Sequence, residues 1–579
     1  MLSVGLDRKG MLLRTARRRS ALLLPLVALL ALVGCTDSSA VDPTPSASTS
    51  SPTPTPTPTA ISAQVRAPEQ EATVLPSASA QDAALEASRA VFVTAPVVVV
   101  APVADVAAQL TAASAGVALG VPVLVTDAAV DPAPVLAEVT RLEAEAVLAV
   151  GAVTLPASVT VVPVAAGADA ATLRAVTGVP FGPPTPVAAG QEAAAVRALA
   201  APRPAVLLVE GAPPVPSVAT PTSVLPPTRP AAALTGTVAL TGVGADPAAA
   251  FATVRAAGVP ILDAPGGDPR ATTPGVQALA AAEPDHVLAF GAGFGPPERL
   301  AGRVAAARTG VLLAGGGQLV FPQVPGVQGK KYIALYGTPG SGALGVLGEQ
   351  DVPATLVRAE AMASPYRSLT ADAVVPTVEI IATIASAGPG PDGNYSNERP
   401  VDELRPLVEA AGAAGVAVVL DLQPGRTDFV TQAQQYADLL ALPHVGLALD
   451  PEWRLAPDQV HLRQIGSVGI DEVNSVVAWL ADFTAERALP QKMLVLHQFA
   501  GRMIGDRGRL DTSRDELALV IHVDGQGTQP AKAGTWSTLR TDAPPVHWGW
   551  KNFFDEDAPM LDPVQTYQVQ PVPDLVSYQ

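Results

Sequence analysis

The stretch 444–453, HVGLALDPEW, ends an apolar run on two acids, Asp450 and Glu452, with Trp453 directly after them. The apolar residues 445–449 spell a strand buried on both faces, as in a parallel sheet sheathed by helices. Side chains two residues apart on a strand project to the same side. At the C-terminal end of a (β/α)8 strand that side is the mouth, where such barrels do their chemistry. Other expected strand ends are equally polar. Tyr336 closes the first, Asp421 with Gln423 the third, and His497 with Gln498 the fifth. His522 and Asp524 end the sixth, Trp548, Trp550 and Lys551 end the seventh, and Glu379 lies within the second. Paired carboxylates are what glycoside hydrolysis uses, one protonated to serve the leaving oxygen and one ionised as base or nucleophile. The candidate catalytic set is therefore Asp450, Glu452, Asp421, Glu379, His497, His522, Asp524 and Lys551. Tyr336, Gln423, Trp453, Gln498, Trp548 and Trp550 are the candidate substrate-binding residues, the indoles offering flat apolar faces to sugars. His497 and His522 have metal-ligand chemistry, but no H-x-H or H-E-x-x-H spacing accompanies them, so neither metal nor other cofactor is expected. The competing account of Glu452 is a surface ion pair with Arg454.

The elements that must deliver these residues can be followed through 329–579, about the 250 residues usual for such a barrel. Strands are expected at 332–337, 374–384, 415–422, 445–449, 492–499, 517–523 and 546–553, with 569–578 an eighth strand or an irregular tail. Helices are expected at 351–363, 401–413, 428–440 (capped by Asp428) and 471–487. Repeated βαβ units argue for a parallel sheet, and their number for a closed barrel. The loop 388–397, GPGPDGNYSN, is a candidate lid or a plain surface loop.

Composition constrains partners. All five Trp and five of the six His lie after residue 440, so stacking surface and polar chemistry concentrate at the C-terminal end. A net charge of −17 argues against nucleic acid or an anionic membrane surface as partner. At the N-terminus, Arg14, Arg17, Arg18 and Arg19 precede an apolar run, 21–33, too short to span a membrane. The run ends Leu32-Val33-Gly34-Cys35, which resembles the lipobox of bacterial lipoproteins. That resemblance implies a signal peptide over 1–34 and a fatty-acylated (palmitate-type) anchor on Cys35. It also implies a cell-membrane location facing the outside. Cys35 is the only cysteine, so no intramolecular disulfide can form. The Ser/Thr/Pro-rich 35–80, with SPTPTPTPTA at 51–60, cannot bury enough apolar surface to fold and reads as a tether.

Between tether and barrel, 81–325 carries a weak internal repeat. The segment 120–127 (GVPVLVTD) is followed by a helical stretch and 147–151 (VLAVG). Likewise 258–263 (GVPILD) is followed by a helical stretch and 287–291 (VLAFG). An eroded copy is expected around 205–209 and 238–242. The pattern resembles the cell wall-binding repeat 2 family, although Ala152 and Ala292 replace the second glycine of its terminal pair. The resemblance implies a repeated βαβ module that associates with wall polymer. The fold class expected is thus α/β, a repeated βαβ module followed by a (β/α)8 barrel. Two functional readings follow: a surface-anchored envelope lipoprotein whose barrel binds or hydrolyses peptidoglycan or another glycan, or a non-catalytic wall-associated protein with an inactive barrel.

Overall fold

The computed structural model describes residues 60–77, 79–127, 132–216, 224–242 and 247–579. The expected signal peptide, Cys35 and most of the tether lie outside the described residues. Among the described residues no helix is long and apolar enough to cross a membrane.

Before the barrel, two four-stranded parallel sheets repeat one winding. The first runs Val123–Thr126, Val97–Pro102, Ala146–Val150, Val161–Val164. The second runs Ile261–Asp263, Thr237–Thr241, His286–Phe290, Ala72–Leu75. In each, the strand that comes first in the repeat sits inside, between the two that follow it. The helices after these inner strands, Val106–Leu119 and Ala248–Ala256, share one core with Ala80–Val91. Their many alanines let the backbones approach closely, and one buried hydroxyl ties the repeats together. Thr253 Oγ1 accepts from the Val123 amide at 3.0 Å and donates to the Val123 carbonyl at 2.9 Å.

Two details differ from the sequence pattern. The strands around 123–126 and 146–150 are not neighbours, because Val97–Pro102 lies between them. The eroded copy is not a single unit: among the described residues Val206–Val209 pairs only with Pro184–Val187, whereas Thr237–Thr241 is central to the second sheet. The parallel crossovers, not the resemblance of the segments, fix the partners.

The C-terminal strands close on themselves. They are β1 (Lys330–Gly337), β2 (Ala373–Ala385), β3 (Ala417–Leu422), β4 (Val445–Leu449), β5 (Lys492–Gln498), β6 (Leu517–Val523), β7 (His547–Asn552) and β8 (Leu575–Tyr578). All pair in parallel, and β1 bonds both β2 and β8, so the sheet has no free edge among these eight. Of the two readings of 569–578, the eighth strand is the one that forms, over Leu575–Tyr578, and it closes the barrel. The intervening helices are α1 (Val352–Ala363), α2 (Val401–Ala413), α3 (Phe429–Gln435) with the short Ala437–Leu440, α4 (Ile470–Glu486), α5 (Gln529–Arg540) and the single turn Pro563–Thr566. Asp351 and Asp428 cap α1 and α3 by accepting from the Ala354 and Thr431 amides. The β5–β6 connection holds no α-helix, only two 3-10 turns and the short strand Ile504–Gly505, which pairs with Val468–Gly469.

Period-two alternation divides the strand residues. Leu335, Val378, Leu420, Leu447, Leu494 and Leu519 face the helices. Ala334, Val375, Val419, Ala448, Val495 and Val520 fill the interior. The barrel floor comes from outside 329–579. Val320 and Phe321 belong to the interior cluster, and Phe321 stacks on His547 with ring centroids 4.2 Å apart. Tyr332 Oη and Lys330 Nζ donate to the Val320 and Leu319 carbonyls at 3.1 and 2.9 Å. The segment before β1 is thus part of the barrel's packing.

Candidate active site at the barrel mouth

Continuing the inward alternation, by two residues on most strands and by four from Val375 on β2, brings one polar side chain from every strand into a layer below the C-terminal rim. These are Tyr336, Glu379, Asp421, Asp450, His497, His522, Lys551 and Ser577, all buried. Register supports the layer: Tyr336 pairs with Glu379, His497 with His522, and Lys551 with Ser577. Gly549 makes room for it, since a Cβ there would lie 3.0 Å from the His522 ring.

His497 is the hub. Its Nε2 lies 2.6 Å from Glu379 Oε1 and its Nδ1 3.1 Å from Asp524 Oδ2. Its ring stacks on His522 at 4.9 Å and 19°. Tyr336 Oη donates to Asp421 Oδ2 at 2.8 Å, and Lys551 Nζ sits 3.7 Å above the Tyr336 ring. Gln423 steadies the same corner, with Nε2 3.4 Å from Tyr336 Oη and Oε1 accepting from the Ala385 amide at 2.9 Å. Ser577 Oγ lies 2.9 Å from His522 Nε2.

Electrostatics sort these groups. Burial opposes charge on His497, but Glu379 and Asp524 outweigh it and hold the imidazole well above its usual range. Burial, with His497 and Lys551 as like charges, pushes His522 well below it. Burial would raise Asp524, yet its bond to His497 brings the carboxyl below the ordinary value. Burial first and neighbouring acids second lift Asp421 to about 6 and Asp450 far up. Burial, then the Asp524 charge, lifts Glu452 to about 7. The mouth therefore sets proton-holding carboxyls beside ionised ones.

Asp450 continues the inward alternation past Ala448, whereas Glu452 reaches the mouth by a route other than strand alternation. The strand stops at Leu449; Asp450 caps the 3-10 turn Pro451–Trp453, its Oδ1 accepting from the Glu452 amide at 3.3 Å. The competing Glu452–Arg454 pair does not form, because Arg454 bonds Glu472 at 2.9 Å. Glu452 makes no ion pair among the described residues and opens onto a cleft of about 290 Å³ with Trp453, His461 and 462–465.

The other expected binding residues divide. Tyr336 and Gln423 belong to the mouth, and Trp453 to the cleft. Trp548 and Trp550 lie on the outer face of β7, in contact with Trp536 of α5 at 5.8 and 5.5 Å, and form no wall of the mouth. They stand at odd offsets from the inward Gly549 and Lys551, so alternation turns them outward. Gln498 also points outward, accepting from Arg507 at 2.7 Å and donating to the Ala500 carbonyl. The sequence pattern did not single out Ser577, Tyr395 or His461. The first required β8 to be recognised as a strand. The other two come from loops: His461 meets the Trp453 ring edge-on at 5.3 Å, and its Nε2 is 2.9 Å from the Tyr395 carbonyl. The 388–397 loop thereby carries Tyr395 to the rim.

No family model and no curated protein matches this chain. Among solved structures it is similar to Cwp6 from Clostridium difficile, at 14% identity and a TM-score of 0.31, over 62% of this chain and 62% of that one. The chain thus spans less than two thirds of that protein's length. So loose a superposition assigns neither fold nor function; the barrel and the sheets rest on their own strand pairing.

Proposed function

We propose that the barrel hydrolyses linkages in a glycan of the cell envelope or its surroundings. The observation that carries this reading is Glu452, a half-buried carboxyl lifted to about 7 at an open cleft, in the field of the depressed Asp524 carboxylate. A proton-holding acid near neutrality serves as general acid to a leaving oxygen. Glu379, with Asp421, whose carboxyl ionises above about 6, supplies the opposite role, activating a water. Lys551 and Tyr336 position them, and Trp453 with His461 offers an aromatic surface to a sugar ring. The lipobox-like Cys35, the tether and the wall-binding-type repeats support an envelope location, anchored by lipid and facing outward, with the repeats in contact with wall polymer.

The test uses the full chain on muropeptides and chitooligosaccharides. Turnover should fall by about 10²–10⁴-fold in Glu452→Gln. Undiminished turnover in that variant removes the assignment. Saturable glycan binding without turnover in the wild type reduces the barrel to a binding module.

A further inference from the structure

Glu379, Asp421 and His497 stand on β2, β3 and β5, and one ligand-type atom from each lies within 4.8 Å of the others. Glu379 is 1% exposed, Asp421 and His497 0%. The far side of two of them is already held. Asp524 Oδ2 meets His497 Nδ1 at 3.1 Å, and Tyr336 Oη donates to Asp421 Oδ2 at 2.8 Å. The facing side carries His497 Nε2, 2.6 Å from Glu379 Oε1 in a contact that an ion would replace, together with Glu379 Oε2 and Asp421 Oδ1. Those two oxygens are buried with no hydrogen-bond partner among the described residues. An orphaned buried acceptor forfeits its hydration without return. Two such oxygens beside an imidazole therefore call for a shared positive group. Around them stand five carboxyl groups, Glu379, Asp421, Asp450, Glu452 and Asp524, and two basic side chains, Lys551 and His497.

We propose that Glu379, Asp421 and His497 bind one divalent first-row metal ion facing the barrel mouth. One imidazole with two carboxylates is a mixed nitrogen and oxygen set suited to zinc, manganese or iron more than to magnesium or calcium. Three protein ligands leave positions open to water or substrate. Asp524 behind His497 is the carboxylate–histidine arrangement that fixes a ligating ring, and Tyr336 does the same for Asp421. Binding stands on this geometry alone. Its use, to hold the attacking water, rests on the hydrolytic reading.

The experiment takes the full chain, strips it with a chelator, and titrates it with Co2+ by visible absorption and with Zn2+ by calorimetry. About one equivalent should bind at micromolar concentration or tighter, with a raised Tm. Asp421→Asn should weaken binding by at least ~10-fold, and Asp524→Asn by ~10–100-fold. Trp550→Phe, which lies outside the mouth, should bind as wild type does. The absence of stoichiometric binding to the wild type at ~100 μM metal, far above the affinity such sites reach, overturns the proposal, as does unaltered binding in Asp421→Asn. The wild-type titration decides even where a variant fails to fold. Chelator-resistant turnover without bound metal overturns the ion and keeps the hydrolase; bound metal without turnover on any glycan keeps the ion and overturns the hydrolase.

Discussion

Glu452 combines a cost with a use, since burial makes its charge unfavourable while chemistry needs its proton. Its folded value, about 7, lies above the ordinary 4.5. Between those values the folded protein holds a proton that the unfolded chain has released. The stability this group contributes is complete below about 4.5 and lost as pH rises through 7. Glu452→Gln should therefore raise stability at pH 8 by about 1–2 kcal/mol, allowing for solvent screening at the cleft, and leave it nearly unchanged at pH 4. Urea unfolding at the two pH values checks this. On the hydrolytic reading kcat/KM should also decline above pH 7, as the proton donor is lost.

At the scale of elements, alternation along a strand decides which aromatic ring meets substrate. Trp453 follows a strand end and turns into the cleft, whereas Trp548 and Trp550 face α5. Trp453→Ala should raise KM for an oligosaccharide by about 5–10-fold, in line with the loss of one stacking ring. Trp550→Phe should lower stability and leave KM unchanged; steady-state kinetics with thermal melts separates the two. Two lysines at the opposite end respond to pH in the reverse sense to Glu452. Burial brings Lys330 and Lys492 from 10.5 to about 7. Between those values the unfolded chain binds more protons, so their contribution is present above 10.5 and lost as pH falls through 7. Stability measured from pH 7 to 9 should rise, and Lys492→Met should flatten the slope.

At the scale of the molecule, the barrel borrows its floor from the chain before it. Lys330 and Tyr332 hold the carbonyls of Leu319 and Val320, and Phe321 fills the interior. A fragment starting at residue 329 should consequently be less stable than one starting at 311, by about 3–5 kcal/mol, the usual loss for deleting a buried aromatic ring. Chemical unfolding of the two fragments gives the difference. In cells, Cys35→Ala should release the protein into the medium, since it removes the thiol that a lipid anchor requires; unchanged membrane fractionation would count against the anchor.

The sequence by itself determined the α/β class, because strand and helix periodicities are local and the βαβ alternation repeats along the chain. It also picked out Glu379, Asp421, Asp450, His497, His522, Asp524 and Lys551, since an apolar strand seldom ends on a charged side chain unless that end opens onto a polar site. The tertiary structure decided which of them touch. Hydrogen bonds from His497 reach Glu379, 118 residues away on β2, and Asp524, 27 residues away just past β6, and no local pattern encodes such contacts. It decided facing as well: one residue of offset sends Trp550 outward and Lys551 inward, and only barrel closure through β8 fixes which side is the interior. The floor is illegible in the sequence for the same reason, because Phe321 lies in a segment with no periodicity and is defined only by the cavity it fills.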